Sequence, residues 1–176
     1  MHMKQLLTFV FLFSALISFS QQQSKAELIK ELSGILNKAS GVNWKSSELT
    51  TTIKSQTATE SQVTTLVYRK GYAEGSGSVD KEYTNVYLLS WDSLKKSSTM
   101  PPSNKKFALS GCSESGNYCS FQLSFKPYSL KSIEYNSQED YSSYNTWFDV
   151  YVRKEDQEKF FACLQKLYKV LHPNEN

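Results

Sequence analysis

The chain has 176 residues, 39% of them hydrophobic and 14% aromatic, with 20 Lys and Arg against 17 Asp and Glu. That size suits one folded domain with a core of its own. The formal net charge of +3 comes without a concentrated basic face: Lys95 with Lys96 and Lys105 with Lys106 are isolated pairs, so a nucleic-acid partner is not expected.

Residues 1–20, MHMKQLLTFVFLFSALISFS, read as an export signal. Lys4 gives a positive start, Leu6 to Ile17 form a short apolar core, and Ser18 and Ser20 are small residues ahead of a cut before Gln21. The apolar run falls short of the roughly 20 residues a spanning helix needs, so no stable transmembrane anchor is expected after cleavage. The expected mature domain is 21–176, in the periplasm or secreted. Loss of Lys4 leaves 19 basic against 17 acidic residues, a net charge of about +2.

The mature chain opens with a predicted helix. Ser24 is a candidate cap, Glu27 stands at the capping-box spacing, and Leu28, Leu32, Ile35 and Leu36 recur with helical period before Gly41. From about Glu48 to Val152 the period changes to two, with Thr, Val, Tyr and Phe abundant. Leu49, Thr51 and Ile53 mark a first strand, and Val63, Thr65 and Val67 a second. Tyr83, Tyr87, Leu89 and Trp91 mark a third, Phe107 and Leu109 a short fourth. Phe121, Leu123 and Phe125 mark a fifth and Ile133 with Tyr135 a sixth. In a seventh, Trp147, Asp149 and Tyr151 oppose Phe148, Val150 and Val152.

The segments between are polar. GYAEGSGSVDKE is expected to be a mobile loop, SLKKSSTMPPSNKK a connection with one helical turn capped by Asp92, and NSQEDYSSYNT the link between the last two strands. A final helix is written in KEDQEKFFACLQKLYKVLHP, with Phe160, Leu164, Leu167 and Leu171 on one side. Its acids lie near the start and its bases near the end, as the helix dipole favours.

The expected fold is therefore α+β: an N-terminal helix, about seven mostly antiparallel strands in a bent sheet or incomplete β-barrel, and a C-terminal capping helix. That element order resembles pleckstrin-homology-like domains, and the resemblance implies a final helix sealing one opening of the barrel; no sequence motif accompanies it. A lipocalin-like barrel is a related architecture, but its GxW signature is missing, since Trp44 follows Gly41 by three positions.

Cys112 and Cys119 flank a turn-forming stretch with Gly116 and Asn117, and export permits a disulfide between them. Cys163 lies inside the last helix pattern and is expected to be a buried thiol. His172, at a helix end, is the only histidine after the leader, which leaves Ser-His or Cys-His catalysis and zinc sites little foothold. No metal and no cofactor are expected.

Paired carboxylates remain as a catalytic route, with Glu134 and Asp149 as candidates because each interrupts apolar or aromatic neighbours. The aromatic residues point instead to recognition, since large rings with polar handles suit binding surfaces. Tyr72, Tyr141, Tyr144 and Trp147 are the ligand-binding candidates. The expected function is non-catalytic binding of a small apolar molecule, a glycan or a peptide outside the cytoplasm. The alternatives are a secreted hydrolase using a carboxylate pair, or a structural or inhibitory protein docking on a partner protein through a terminal helix. A cavity reaching Phe121, Phe125 and Trp147 would favour an apolar ligand.

Overall fold

The computed structural model describes residues 23–46, 48–73, 75, 77–100, 111–112, 116–135 and 140–175. The predicted leader and the fourth predicted strand, at Phe107 and Leu109, lie outside them. The protein is an α+β fold with a helix at each end of a strongly bent antiparallel β structure. Helix α1 spans Lys25–Asn37, and Ser24 caps it in a full capping box with Glu27. Helix α2 spans Gln157–Leu171. Among the described residues no helix is long and apolar enough to cross a membrane.

Among the described residues nine strands lie between the helices: β1 Asn43–Ser46, β2 Leu49–Ala58, β3 Gln62–Ala73, β4 Gly77–Leu89, β5 Gly111–Cys112, β6 Tyr118–Ser124, β7 Leu130–Tyr135, β8 Asp140–Asn145 and β9 Trp147–Arg153. They form a six-stranded sheet, β1-β2-β3-β4-β7-β8, and a three-stranded sheet, β5-β6-β9. Cys112 and Cys119 face each other across β5 and β6 and are joined by a disulfide.

Three expectations need correction. The glycine-rich stretch is no extended loop: Gly71–Ala73 finish β3, Gly77–Glu82 open β4, and Ala73 pairs with Gly77. Its glycines serve a tight reversal, with Gly75 and Gly77 at positive φ. Gly71 serves a close approach instead: a Cβ there would lie 2.0 Å from the Glu48 carbonyl oxygen. The stretch between the last two predicted strands contains β8, a polar strand at the sheet edge with no buried side chain. Lastly, the turn near Asp92 is a 3-10 turn at Trp91–Ser93 without a side-chain cap, and Asp92 pairs with Lys25 at 3.0 Å instead.

The core lies between the helices and the small sheet. Phe121 and Leu123 of β6, Phe125 just after it, and Phe148, Val150 and Val152 of β9 meet Leu28, Leu32 and Leu36 of α1 and Phe160, Leu164 and Leu167 of α2. Trp91 is fully buried and its Nε1–H donates to the Thr59 carbonyl at 2.8 Å. Cys163 is buried and free, its Sγ 3.3 Å from the Leu28 carbonyl oxygen, and burial pushes its thiol up to about 12. Lys38 and the buried Asp156 join the two helices through a 3.0 Å ion pair.

Candidate functional site

Cross-strand pairing sets out the inner face of the large sheet in rows, because directly opposed residues share a face. One row runs Trp44, Thr51, Arg69, Lys81. The next is Ile53, Val67, Tyr83. A third is Gln56, Thr65, Asn85, Glu134, Tyr141. A fourth is Ala58, Val63, Tyr87, Ser132, Ser143. An irregularity in β2 between Ile53 and Ser55 shifts the alternation by one, so that Ile53 and Gln56 both face inward.

Strand β9 crosses this concave face. At one end the buried Gln56 side chain satisfies both backbone groups of Tyr151: its Nε2–H donates to the Tyr151 carbonyl at 2.8 Å and its Oε1 accepts the Tyr151 N–H at 3.0 Å. Further along, Phe148 stacks on Tyr87 with ring centroids 4.1 Å apart. The strand therefore partitions the half-barrel. Its Phe148, Val150 and Val152 side seals the helical core; its Trp147, Asp149 and Tyr151 side faces an open cleft of about 460 Å³. That volume lies within the roughly 300–1,000 Å³ usual for small-molecule sites.

The cleft is half polar in character. Trp44, Tyr141 and Trp147 supply aromatic surface, while Thr51, Thr65, Asn85, Ser132, Ser143 and Asn145 supply hydroxyls and amides. Trp44 is held in place by stacking on Tyr151 at 4.7 Å. Three charged groups line it: Arg69, Glu134 and Asp149. Burial raises the Asp149 carboxyl above its ordinary range, and its buried Oδ1 has no hydrogen-bond partner among the described residues. Thr65 is 3% exposed and its Oγ1 is likewise without a partner. Tyr87 and Tyr151 are both pushed up to about 12, first by burial and then by the neighbouring Asp149 carboxylate.

The sequence candidates divide between two regions. Tyr141 and Trp147, 58% and 44% exposed, line the cleft together with Glu134 and Asp149. Tyr144 and Tyr72 are exposed and lie outside it: each alternates with residues of the inner rows and so takes the outer face. Phe121 and Phe125 are buried in the core and do not line the cleft, so the cavity is not the apolar one that would have reached them. His172 ends α2 and is absent from the cleft lining. The apolar faces of both helices are occupied within the core.

Sequence reasoning missed Trp44, Arg69, Asn85 and Tyr87. The signal for Arg69 was a polar interruption of inward positions: Val63, Thr65, Val67 and Arg69 share one face of β3, and its charged end opens into the cleft. Among the described residues no three His, Cys, Asp or Glu side chains gather as a metal-ion cluster. In comparisons with protein-family models, curated proteins and solved structures, none matches the chain.

Proposed function

We propose that the protein is a non-catalytic binding protein acting in the periplasm or outside the cell, and that its ligand is a short glycan held in the open end of the half-barrel. One observation carries the reading: a preformed cleft of about 460 Å³ combines Trp44, Tyr141 and Trp147 with a floor of hydroxyls, amides and carboxyls. Sugar rings have apolar faces that stack on aromatic side chains and equatorial hydroxyls that need several hydrogen-bond partners at once. The unpartnered Thr65 Oγ1 and Asp149 Oδ1 supply such partners, because a buried polar atom gains most from a ligand that satisfies it. A purely apolar ligand would leave both unsatisfied. The export signal at residues 1–20 motivates the location.

Fluorescence titration tests this directly. Trp91 is buried in the core, whereas Trp44 and Trp147 line the cleft, so a bound glycan should produce a saturable change in emission. Trp147→Ala should weaken binding by at least about tenfold, the loss of about 1.4 kcal/mol of ring contact. A panel of neutral and charged oligosaccharides that gives no saturable change sinks the proposal.

The second reading is a glycoside hydrolase, favoured by the placement of Glu134 and Asp149 in one cleft. In that chemistry water adds across the glycosidic C–O bond. A carboxylic acid donates its proton to the leaving oxygen, and a carboxylate either takes a proton from the attacking water or first bonds the sugar carbon. Asp149, raised by burial, suits the proton donor. Chromatography of glycans after incubation separates the readings: cleavage lost in both Glu134→Gln and Asp149→Asn supports the enzyme, and intact glycans support binding alone.

A further inference from the structure

We propose that the cleft selects acidic saccharides, with a carboxylate of the ligand held by Arg69; this rests on the glycan reading above. The cleft is bipolar. Arg69 and Glu134 lie in rows four residues apart along β3 and two strands apart across the sheet, which separates their backbones by on the order of 15 Å. At one end Arg69 and Lys81 share the Tyr83 ring, the Arg69 guanidinium carbon 4.8 Å and the Lys81 Nζ 5.4 Å from its centroid. None of the ion pairs formed among the described residues includes either cation. Toward the other end Glu134 stands in the row that also holds Thr65, whose buried Oγ1 has no hydrogen-bond partner among the described residues, and Asp149 of β9 lines the same cleft.

Stacking on Tyr83 holds the guanidinium in place while leaving its N–H fork for an oxyanion. A ligand carboxylate matches that fork with two parallel hydrogen bonds. A neutral ligand covering the same place would strip water from the cation and return no anion. The acidic end of the cleft repels a second ligand charge there, so the binding mode has a direction: carboxylate at Arg69, hydroxyls toward Thr65 and Asp149.

The test uses trisaccharides of galacturonate, glucuronate and mannuronate, each beside its methyl ester and its neutral hexose counterpart. Each is titrated calorimetrically into the expected mature protein, residues 21–176, at low ionic strength. At least one acid should bind about tenfold or more tighter than its ester, and added salt should narrow the gap. Arg69→Gln should abolish the preference, Arg69→Lys should keep part of it by charge without the fork, and Trp147→Ala should weaken acid and ester alike. Thermal melts of the two Arg69 variants check that they are folded. Equal binding of acid and ester, with Arg69→Gln matching the parent protein, overturns this inference and leaves glycan binding standing. No binding by any member of the panel removes the glycan reading and this inference with it.

Discussion

Asp149 sits on the strand that partitions the molecule, with Phe148 and Val150 on either side of it pointing into the core. Its own side chain turns the other way, into the cleft, where burial raises its carboxyl and Oδ1 has no hydrogen-bond partner among the described residues. A raised carboxyl means that the folded state holds the proton more tightly than the unfolded chain. Its ionisation therefore works against folding: the burden is absent below the unfolded value of about 3.8 and grows as pH rises through the higher folded value. Asp149→Asn keeps the shape and removes the charge. Urea unfolding should show the variant more stable than the parent protein at pH 7, with the gain shrinking toward zero near pH 3. A variant that is less stable at pH 7 would mean that the ionised carboxylate is stabilised by its surroundings. Asp149 was legible in the sequence as an acid among aromatic residues, but its elevated affinity for a proton was not, since that depends on β9 lying across β3 and β4.

At the scale of elements, strand β5 has two residues, too few to hold an edge by backbone pairing alone. The disulfide from Cys112 to Cys119 ties it to β6, and Gln157 at the start of α2 lies against both sulfurs, its Oε1 3.2 Å and 3.6 Å from them. Closing so short a loop restricts the unfolded chain by about 2.5 kcal/mol in the loop-entropy account. The double change Cys112→Ser with Cys119→Ser should therefore lower the unfolding free energy by about that amount, measured by urea denaturation, with glycan affinity kept because β9 and the large sheet form the cleft. An unchanged urea midpoint would show that the bridge contributes no stability. The alternation of Phe121, Leu123 and Phe125 made β6 readable, and the paired helical stripes made α1 and α2 readable, because each buries one face continuously. Strand β8 was unreadable for the opposite reason: Asp140–Asn145 bury nothing, and their extended form comes from pairing with β7. The start of β4 was hidden by its glycines, whose freedom looks the same in a loop and in a hairpin turn. The tyrosines of the candidate site divided for a related reason. Tyr141 and Tyr144 are three residues apart in a strand, so they take opposite faces and only Tyr141 meets the cleft.

The whole molecule is a half-barrel used differently at its two ends, and β9 marks the division. The helical end is a packed core in which Phe160 is fully buried, stacks on Phe121 at 5.3 Å and meets Phe161 edge-on at 5.4 Å. The open end holds side chains such as Trp147 that are large but 44% exposed. Size alone does not set the cost of truncation, because the cost follows the area removed from water and the cavity left behind. Phe160→Ala should destabilise the protein by about 3–5 kcal/mol, a large share of the roughly 5–15 kcal/mol that holds an ordinary domain folded. Trp147→Ala deletes a larger ring from a surface that already meets solvent and should cost about 1 kcal/mol or less, while removing most of the glycan affinity. Parallel urea melts and fluorescence titrations of the two variants check the division. Comparable destabilisation by both changes would place Trp147 within the core, and the cleft would then owe its shape to packing. Stability lost only at Phe160 and binding lost only at Trp147 would establish that the two helices close one end of the barrel so that the other can stay open.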